Sequence, residues 1–320
     1  MQIFGKYDKN WVLYWLRGRR RLLKDASICV SLLGTETRFV DVDGVRTRTI
    51  QAGEGPDLIL MHGGGGHAEA FARNVTALSR HFRVHALDLL GHGLTSGCEV
   101  APKRKDYVSH LLGYMDQEGI DRAHLVGESL GGWIAAWTAL EHPDRVDRLI
   151  YVCGARLTLE VGADAEARTA AGRAELARVT RQFLADPSPA NVRERMAWLF
   201  HHPDRDLTDE LVALRWALYQ SEESRSALTN ATAPPSAATA QDNLTAERLT
   251  SLTRPTLVLW TSHNPSATVE FGRRAAELIP GAEFALMEDC GHWPQWERPE
   301  EFNQILTNYL QGDRESRGQR

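Results

Sequence analysis

Apolar and polar positions along the chain follow two rhythms. Short continuous apolar runs predict strands covered on both faces: Leu58-Ile59-Leu60-Met61, Val84-His85-Ala86-Leu87, His124-Leu125-Val126, Val146 to Val152, Thr256 to Trp260 and Glu283 to Met287. Between them, Tyr107 to Met115, Trp133 to Leu140, Val269 to Ile279 and Pro299 to Leu310 carry apolar residues at helical spacing, the last opening on a proline. Ahead of all these, Thr37 to Val42 and Val45 to Gln51 flank Asp43-Gly44, whose tolerance of positive φ suits a tight hairpin turn. Strands alternating with helices argue for the α/β class, with a mostly parallel sheet flanked by helices on both faces.

The rhythm changes after Gly154. Ala163 to Leu184, Val192 to Phe200 and Thr208 to Gln220 are rich in Ala, Arg, Glu and Leu at helical spacing and hold no strand-like run. Ala231 to Ala240, rich in Ala, Thr and Pro, reads as a loop returning to the core. The expected organisation is an N-terminal extension (1–36), a core (37–154), an inserted helical cap (155–245), the rest of the core (246–312) and a disordered tail (313–320).

Composition narrows the function. With 42% hydrophobic and 25% charged residues this is an ordinary globular chain, and its 320 residues suffice for one large α/β core plus an insertion. A net charge of -5 gives no sign of a nucleic-acid partner, so a small-molecule substrate is expected. Cys29, Cys98, Cys153 and Cys290 lack C-x-x-C spacing, which suggests neither zinc nor a disulfide framework and fits a reducing cytoplasm. No metal or cofactor is called for. Trp11 to Leu16 precedes the basic run Arg17 to Arg21, the wrong order for a signal peptide and too short to span a bilayer. The expected role of this segment is a helix covering the protein's own core. A membrane-surface contact or a homodimer partner is the alternative.

The chemistry centres on Gly127-Glu128-Ser129-Leu130-Gly131, a Gly-x-Ser-x-Gly pattern between a strand and a helix. Lifting a hydroxyl above the end of a buried strand requires a sharp, strained turn, and the flanking glycines remove Cβ atoms that would collide there. The first amides of the helix then face the Ser129 side chain and can bind an oxyanion. Upstream, His62-Gly63-Gly64-Gly65-Gly66-His67 follows a strand, and its glycines let backbone amides approach a ligand. Gly64 is the expected second oxyanion donor. His92, in the turn Leu89 to Gly93, reads as a structural loop residue. His292, in Cys290-Gly291-His292-Trp293 just after the last strand, is the expected base for Ser129.

This order of glycine run, serine elbow, cap, strand and histidine loop resembles the α/β-hydrolases. Within them the chain resembles the meta-cleavage-product hydrolases, serine enzymes that cut a carbon–carbon bond in 2-hydroxy-6-oxo-hexa-2,4-dienoates from aromatic catabolism. The resemblance covers Phe39 to Leu310 and is most specific at His62 to Gly65, Gly119 to Gly127 and Cys290 to Trp293 followed by Gln295-Trp296-Glu297. It implies Ser129 as nucleophile, His292 as proton shuttle, and Gly64 and Leu130 as oxyanion donors. Gly63 and Gly65 would line the substrate site together with Trp293. Arg215, matched with Trp216 to the family's cap helix, would hold the substrate carboxylate, and Arg73 or Asn74 would face the pocket.

Two departures stand out. Glu128 occupies the place where this family has Asn, which brings a negative charge beside a pocket meant for an anion. The triad acid should stand three residues beyond a glycine after the strand ending at Trp260. Here Thr261 replaces that glycine, and the acid position falls on Asn264. An amide oxygen can fix the His292 tautomer but brings no charge to stabilise imidazolium, and Asp to Asn costs a serine protease about 10⁴ in turnover. Either Asn264 does the work, or His263 or a carboxylate such as Glu160 or Asp88 replaces it. The expected activity is a carbon–carbon hydrolase of vinylogous diketones. The alternatives are a carboxylic-ester hydrolase, or a non-hydrolytic isomerase, cyclase or ligand-binding pseudoenzyme.

Overall fold

The computed structural model describes residues 26–95, 102–231 and 240–312. The aromatic and basic N-terminal stretch, Cys98, nearly all of the Ala231 to Ala240 loop and the tail lie outside these residues. The first hairpin forms where expected. Asp43 and Gly44 take φ of 51° and 85°, the two positive values a tight turn between right-twisted strands requires. Glu36–Val42 (β1) thereby pairs antiparallel with Val45–Ala52 (β2), Val42 opposite Val45.

Asp57–Met61 (β3), Arg83–Leu87 (β4), Ala123–Glu128 (β5), Val146–Val152 (β6), Thr256–Thr261 (β9) and Glu283–Met287 (β10) complete an eight-stranded sheet in the order β1-β2-β4-β3-β5-β6-β9-β10. All pairings from β4 to β10 are parallel. The apolar runs are continuous because both faces are covered. Leu58, Leu60, Val126, Ile150 and Leu259 enter one core, and Ile59, Met61, Leu125, Leu149 and Val258 enter the other. The chain leaves β3 for β4 on one side and returns to β5 on the other, which opens a crevice at the carboxyl ends of β3 and β5.

Between β6 and β9 run the helices Ala163–Ala185, Pro189–Ala197, Asp209–Leu218 and Glu222–Ala231. The last is absent from the periodicity reading because it carries few apolar residues; its Leu228 is buried. Leu157–Thr158 (β7) pairs with Leu244–Thr245 (β8) in a short parallel ladder that ties together the two chain ends of the insertion. Phe183, Val192, Met196 and Leu211 join the same core as Trp293 and Trp296, so these helices are packed continuously onto the sheet domain.

A buried charge cluster fixes the exit of the glycine loop. Arg48, 4% exposed, donates to both carboxylate oxygens of Asp88 at 2.7 and 3.0 Å and to both of Glu69 at 2.8 and 2.7 Å. Asp88 also accepts from the Ala68 and Leu94 amides, each at 2.7 Å. Among the described residues, no helix is long and apolar enough to cross a membrane.

Candidate active site

Ser129 stands at the tip of β5 with φ 51° and ψ -108°, a backbone conformation that L residues avoid and that structure must impose. Its amide donates to the Val152 carbonyl at 3.0 Å, and its carbonyl accepts from Ala155 at 3.0 Å and Trp133 at 3.1 Å. The flanking glycines are required sterically. A Cβ on Gly127 would lie 2.2 Å from the Gly131 backbone, and one on Gly131 would lie 2.3 Å from the Met61 carbonyl oxygen.

The glycine run closes against this elbow. Gly131 donates to the His62 carbonyl at 3.2 Å, and Gly66 donates to Gly63 at 2.9 Å. His62 Nε2 accepts from the Leu89 amide at 3.1 Å, so the ring proton sits on Nδ1 and is donated to the Gly63 carbonyl at 2.8 Å. Burial, reinforced by His92, holds this imidazole well below its usual pKa, so His62 is a neutral prop for the loop. Gly64 and Ser129 are partly exposed while their neighbours Gly63, Gly65, Glu128 and Leu130 are buried. No acceptor within the described residues takes the Gly64 or Leu130 amide, which leaves both able to donate to a ligand oxygen. His92 is buried, bonds through Nδ1 to the Leu90 carbonyl at 3.0 Å, and is pushed down to about 4 by burial, in keeping with a loop residue.

His292 arrives from the loop after β10, and its amide donates to the Leu199 carbonyl at 2.6 Å. Its Nδ1 lies 2.9 Å from Asn264 Oδ1. The Ser266 amide donates to that same oxygen at 3.1 Å, so the Asn264 side chain must present oxygen here and His292 Nδ1 must carry the proton. Of the groups considered for this position, Asn264 is the one in contact. Asp88 is committed to Arg48, Glu160 is exposed, and His263 stacks on His201 with ring centroids 3.6 Å apart. On the far side, His292 Nε2 lies 3.0 Å from Glu128 Oε1, and Ser129 Oγ makes no hydrogen bond to the ring.

The histidine loop is anchored by Glu297, which accepts from the Gly291 amide at 3.0 and 3.1 Å, from His201 at 2.9 Å and from Trp293 at 3.4 Å. Burial pushes this carboxyl up to about 7 against the amides that pull it down. The native state therefore binds a proton that the unfolded chain has already released. Its contribution is full below pH about 4.5 and is lost as pH rises through about 7, amounting to about 3 kcal/mol. Glu297→Gln should flatten the fall in stability between pH 5 and 8 in denaturant titrations; an unchanged slope would assign that fall elsewhere.

Arg215, from the helix Asp209–Leu218, is 1% exposed. It donates through Nη1 to the Gly65 carbonyl and at 3.1 Å to Tyr219 Oη, and it lies 5.1 Å from the centre of the Trp293 ring. Its Nε and Nη2 have no partner, and no carboxylate among the described residues pairs with it. Two residues absent from the sequence reading complete this corner. Tyr219 Oη donates to the Gly65 carbonyl at 2.8 Å, and Arg195, 3% exposed, reaches Tyr219 Oη at 3.5 Å. Burial would raise the Tyr219 hydroxyl pKa, yet the two guanidinium groups pull it below its ordinary value. The only sequence clue to them was an arginine and a tyrosine on the inward stripe of cap helices.

Arg73 and Asn74, expected at the pocket, are turned elsewhere. Arg73 donates to the Trp296 carbonyl at 2.7 Å and lies over that ring, and Asn74 donates to Asn303 at 2.9 Å. Both belong to the helix Ala72–Leu78, whose buried face packs on the C-terminal helix Pro299–Gln311.

A family model described as alpha/beta hydrolase fold matches residues 56–299. The chain belongs to the α/β-hydrolase family. Among this hydrolase's relatives, a 2-hydroxy-6-oxononadienedioate/2-hydroxy-6-oxononatrienedioate hydrolase of a Pseudomonas species is 30% identical over 285 residues, 86% of this chain and 96% of the relative. A 2-hydroxy-6-oxo-6-phenylhexa-2,4-dienoate hydrolase of Comamonas testosteroni is 30% identical over 268 residues, 81% of this chain and 89% of the relative. The solved meta-cleavage product hydrolase of Pseudomonas fluorescens IP01 superposes with a TM-score of 0.69 at 29% identity, covering 85% of this chain and 97% of that one. This α/β-hydrolase is an enzyme, and meta-cleavage product hydrolases are among its relatives.

Proposed function

We propose that this hydrolase cleaves a carbon–carbon bond in a vinylogous diketone of the 2-hydroxy-6-oxo-dienoate type, a small molecule met in the cytoplasm beneath the helical cap. The observation that carries the reading is Arg215: a buried guanidinium with two nitrogens unpartnered, beside the glycine loop and over Trp293. Leaving such a cation unpaired is costly, and a substrate carboxylate would satisfy it. Arg195 adds positive charge to the same corner. The carboxylate end would sit there, and the distal carbonyl would reach Ser129, with the Gly64 and Leu130 amides taking the developing oxyanion.

In this reading His292 moves protons twice. It first helps convert the dienol to its keto tautomer, and it then takes a proton from Ser129 or water as the carbonyl is attacked. Asn264 holds the tautomer that leaves Nε2 facing the reaction.

Dienoate ring-cleavage products and simple esters should be assayed side by side, following loss of the dienoate's visible absorbance. Rapid loss with dienoates and slow turnover of esters is expected. The reverse order would overturn the assignment in favour of an ester hydrolase, and inertness to both would point to a non-hydrolytic role. Arg215→Met keeps the packing stem and removes the charge. It should raise KM for the dienoate about 10- to 100-fold, the worth of a charge-assisted hydrogen bond, with a smaller change in kcat.

A further inference from the structure

The site has lost a carboxylate on one side of His292 and gained one on the other. Asn264 is neutral, while Glu128, 1% exposed, brings Oε1 to 3.0 Å from Nε2, the ring nitrogen that faces the reaction. Neither Glu128 oxygen has an aligned hydrogen bond anywhere among the described residues. Space has been made for this carboxylate, since a Cβ on Gly63 would lie 2.5 Å from Glu128 Oε2.

Electrostatics restricts the protonation of the pair. Nδ1 carries a proton, as the Ser266 amide and Asn264 Oδ1 require. If Nε2 presented a lone pair to an ionised carboxylate 3.0 Å away, two electron-rich atoms would be pressed together between two buried side chains. One proton between them removes the conflict.

Building on the function proposed above, we infer that Glu128 and His292 share a single proton and that Glu128 is the positioning carboxylate of this site, acting on Nε2 from the nucleophile's own strand. After the pair gives its proton to the substrate carbon during ketonisation, Nε2 faces an uncompensated carboxylate and becomes a strong base. It recovers a proton from the enol hydroxyl that tautomerisation releases, so the pair ends this step as it began. In the cleavage step the shared proton moves onto Glu128 as Nε2 takes the proton of Ser129 or water, and Nε2 then gives one proton to the departing carbon, which returns the pair to its single shared proton. Of the other titratable groups around the pair, His62 is neutral and the Cys153 thiol is pushed up by burial, whereas Glu297, pushed up to about 7, titrates in wild type and Glu128→Gln alike and cancels in their comparison. His201 and His263 stack on each other, and Arg215 lies toward the glycine loop.

The test follows the ionisation of His292 by ¹⁵N NMR on histidine-labelled full-length protein, with His292→Asn to assign its signals. At pH about 8 both ring nitrogens of wild-type His292 should show a bound proton, whereas in Glu128→Gln only Nδ1 should. Glu128→Gln should also lose roughly 10²-fold in dienoate kcat with little change in KM, and the alkaline limb of its pH profile should move to lower pH. Adding Asn264→Asp should restore part of the loss by returning charge to the Nδ1 side.

A single protonated ring nitrogen on wild-type His292 under those conditions, or an identical pH profile in Glu128→Gln, would overturn the inference. The wild-type measurement needs no substrate, and His292→Asn serves only to assign its signals. It therefore stands even if dienoates prove not to be cleaved, an outcome that would sink the proposed function instead.

Discussion

Ser129→Ala should lower dienoate turnover by about 10³-fold or more while leaving substrate affinity within a few fold. In proteases with a comparable constellation the nucleophile alone is worth about 10⁶, and the residual rate comes from oxyanion donors and binding, which this substitution leaves in place. Here the Gly64 and Leu130 amides and Arg215 would remain, so the variant should still bind the dienoate and perturb its spectrum. Stopped-flow absorbance would separate the two halves of the reaction: rapid formation of the ketone followed by stalled cleavage is the expected pattern. A loss below about tenfold would remove Ser129 from the chemistry.

Ser129→Gly provides a paired readout. The φ of 51° is unfavourable for Ser and Ala alike, and glycine adopts it freely. This variant should therefore be as inactive as Ser129→Ala yet more stable by about 1 kcal/mol. Equal stability of the two variants would mean that the elbow stores no strain at this residue.

Arg48→Met should destabilise the protein by about 3–5 kcal/mol, because it leaves Glu69 and Asp88 buried without their cation. Both carboxylates bond to Arg48 at 3.0 Å or less, and burial alone would raise the Glu69 carboxyl. His67 and Arg48 together hold it well below its ordinary range instead. That contribution is present above the unfolded carboxylate pKa and is lost as pH falls through the lower folded value. In Arg48→Met it should largely vanish, so the deficit against wild type should be greatest near neutrality and shrink in acid. Urea denaturation at pH 7 and pH 4 would measure this, and a deficit independent of pH would show that packing rather than charge dominates. Activity should fall as well, since Asp88 fixes the Ala68 and Leu94 amides at the exit of the glycine loop.

Much of the architecture was legible because its causes are local. A strand covered on both faces reads as an unbroken apolar run, which is why Leu58 to Met61 and Thr256 to Trp260 stood out. Asp43-Gly44 and the glycines at 127 and 131 answer to backbone geometry within a few residues and announce themselves in the same way. The helix Glu222–Ala231 was missed because it has few apolar residues to set a period, and the β7–β8 ladder because two-residue strands carry no pattern.

The site divides along the same line. Sequence alone determined which residue types were available and in what order: a strained serine, a glycine loop, a late histidine, and an asparagine where an acid would stand. Tertiary structure decided which side chains meet. It turned Arg73 and Asn74 toward the C-terminal segment, brought Arg195 to Tyr219 and Arg215 to the Gly65 carbonyl, set Asn264 against Nδ1 of His292, and placed Glu128 against Nε2. The physical reason is that a turn's geometry depends on its own few dihedral angles. Contacts between side chains carried on separate elements depend instead on where strand ends and cap helices converge, and no local periodicity encodes that.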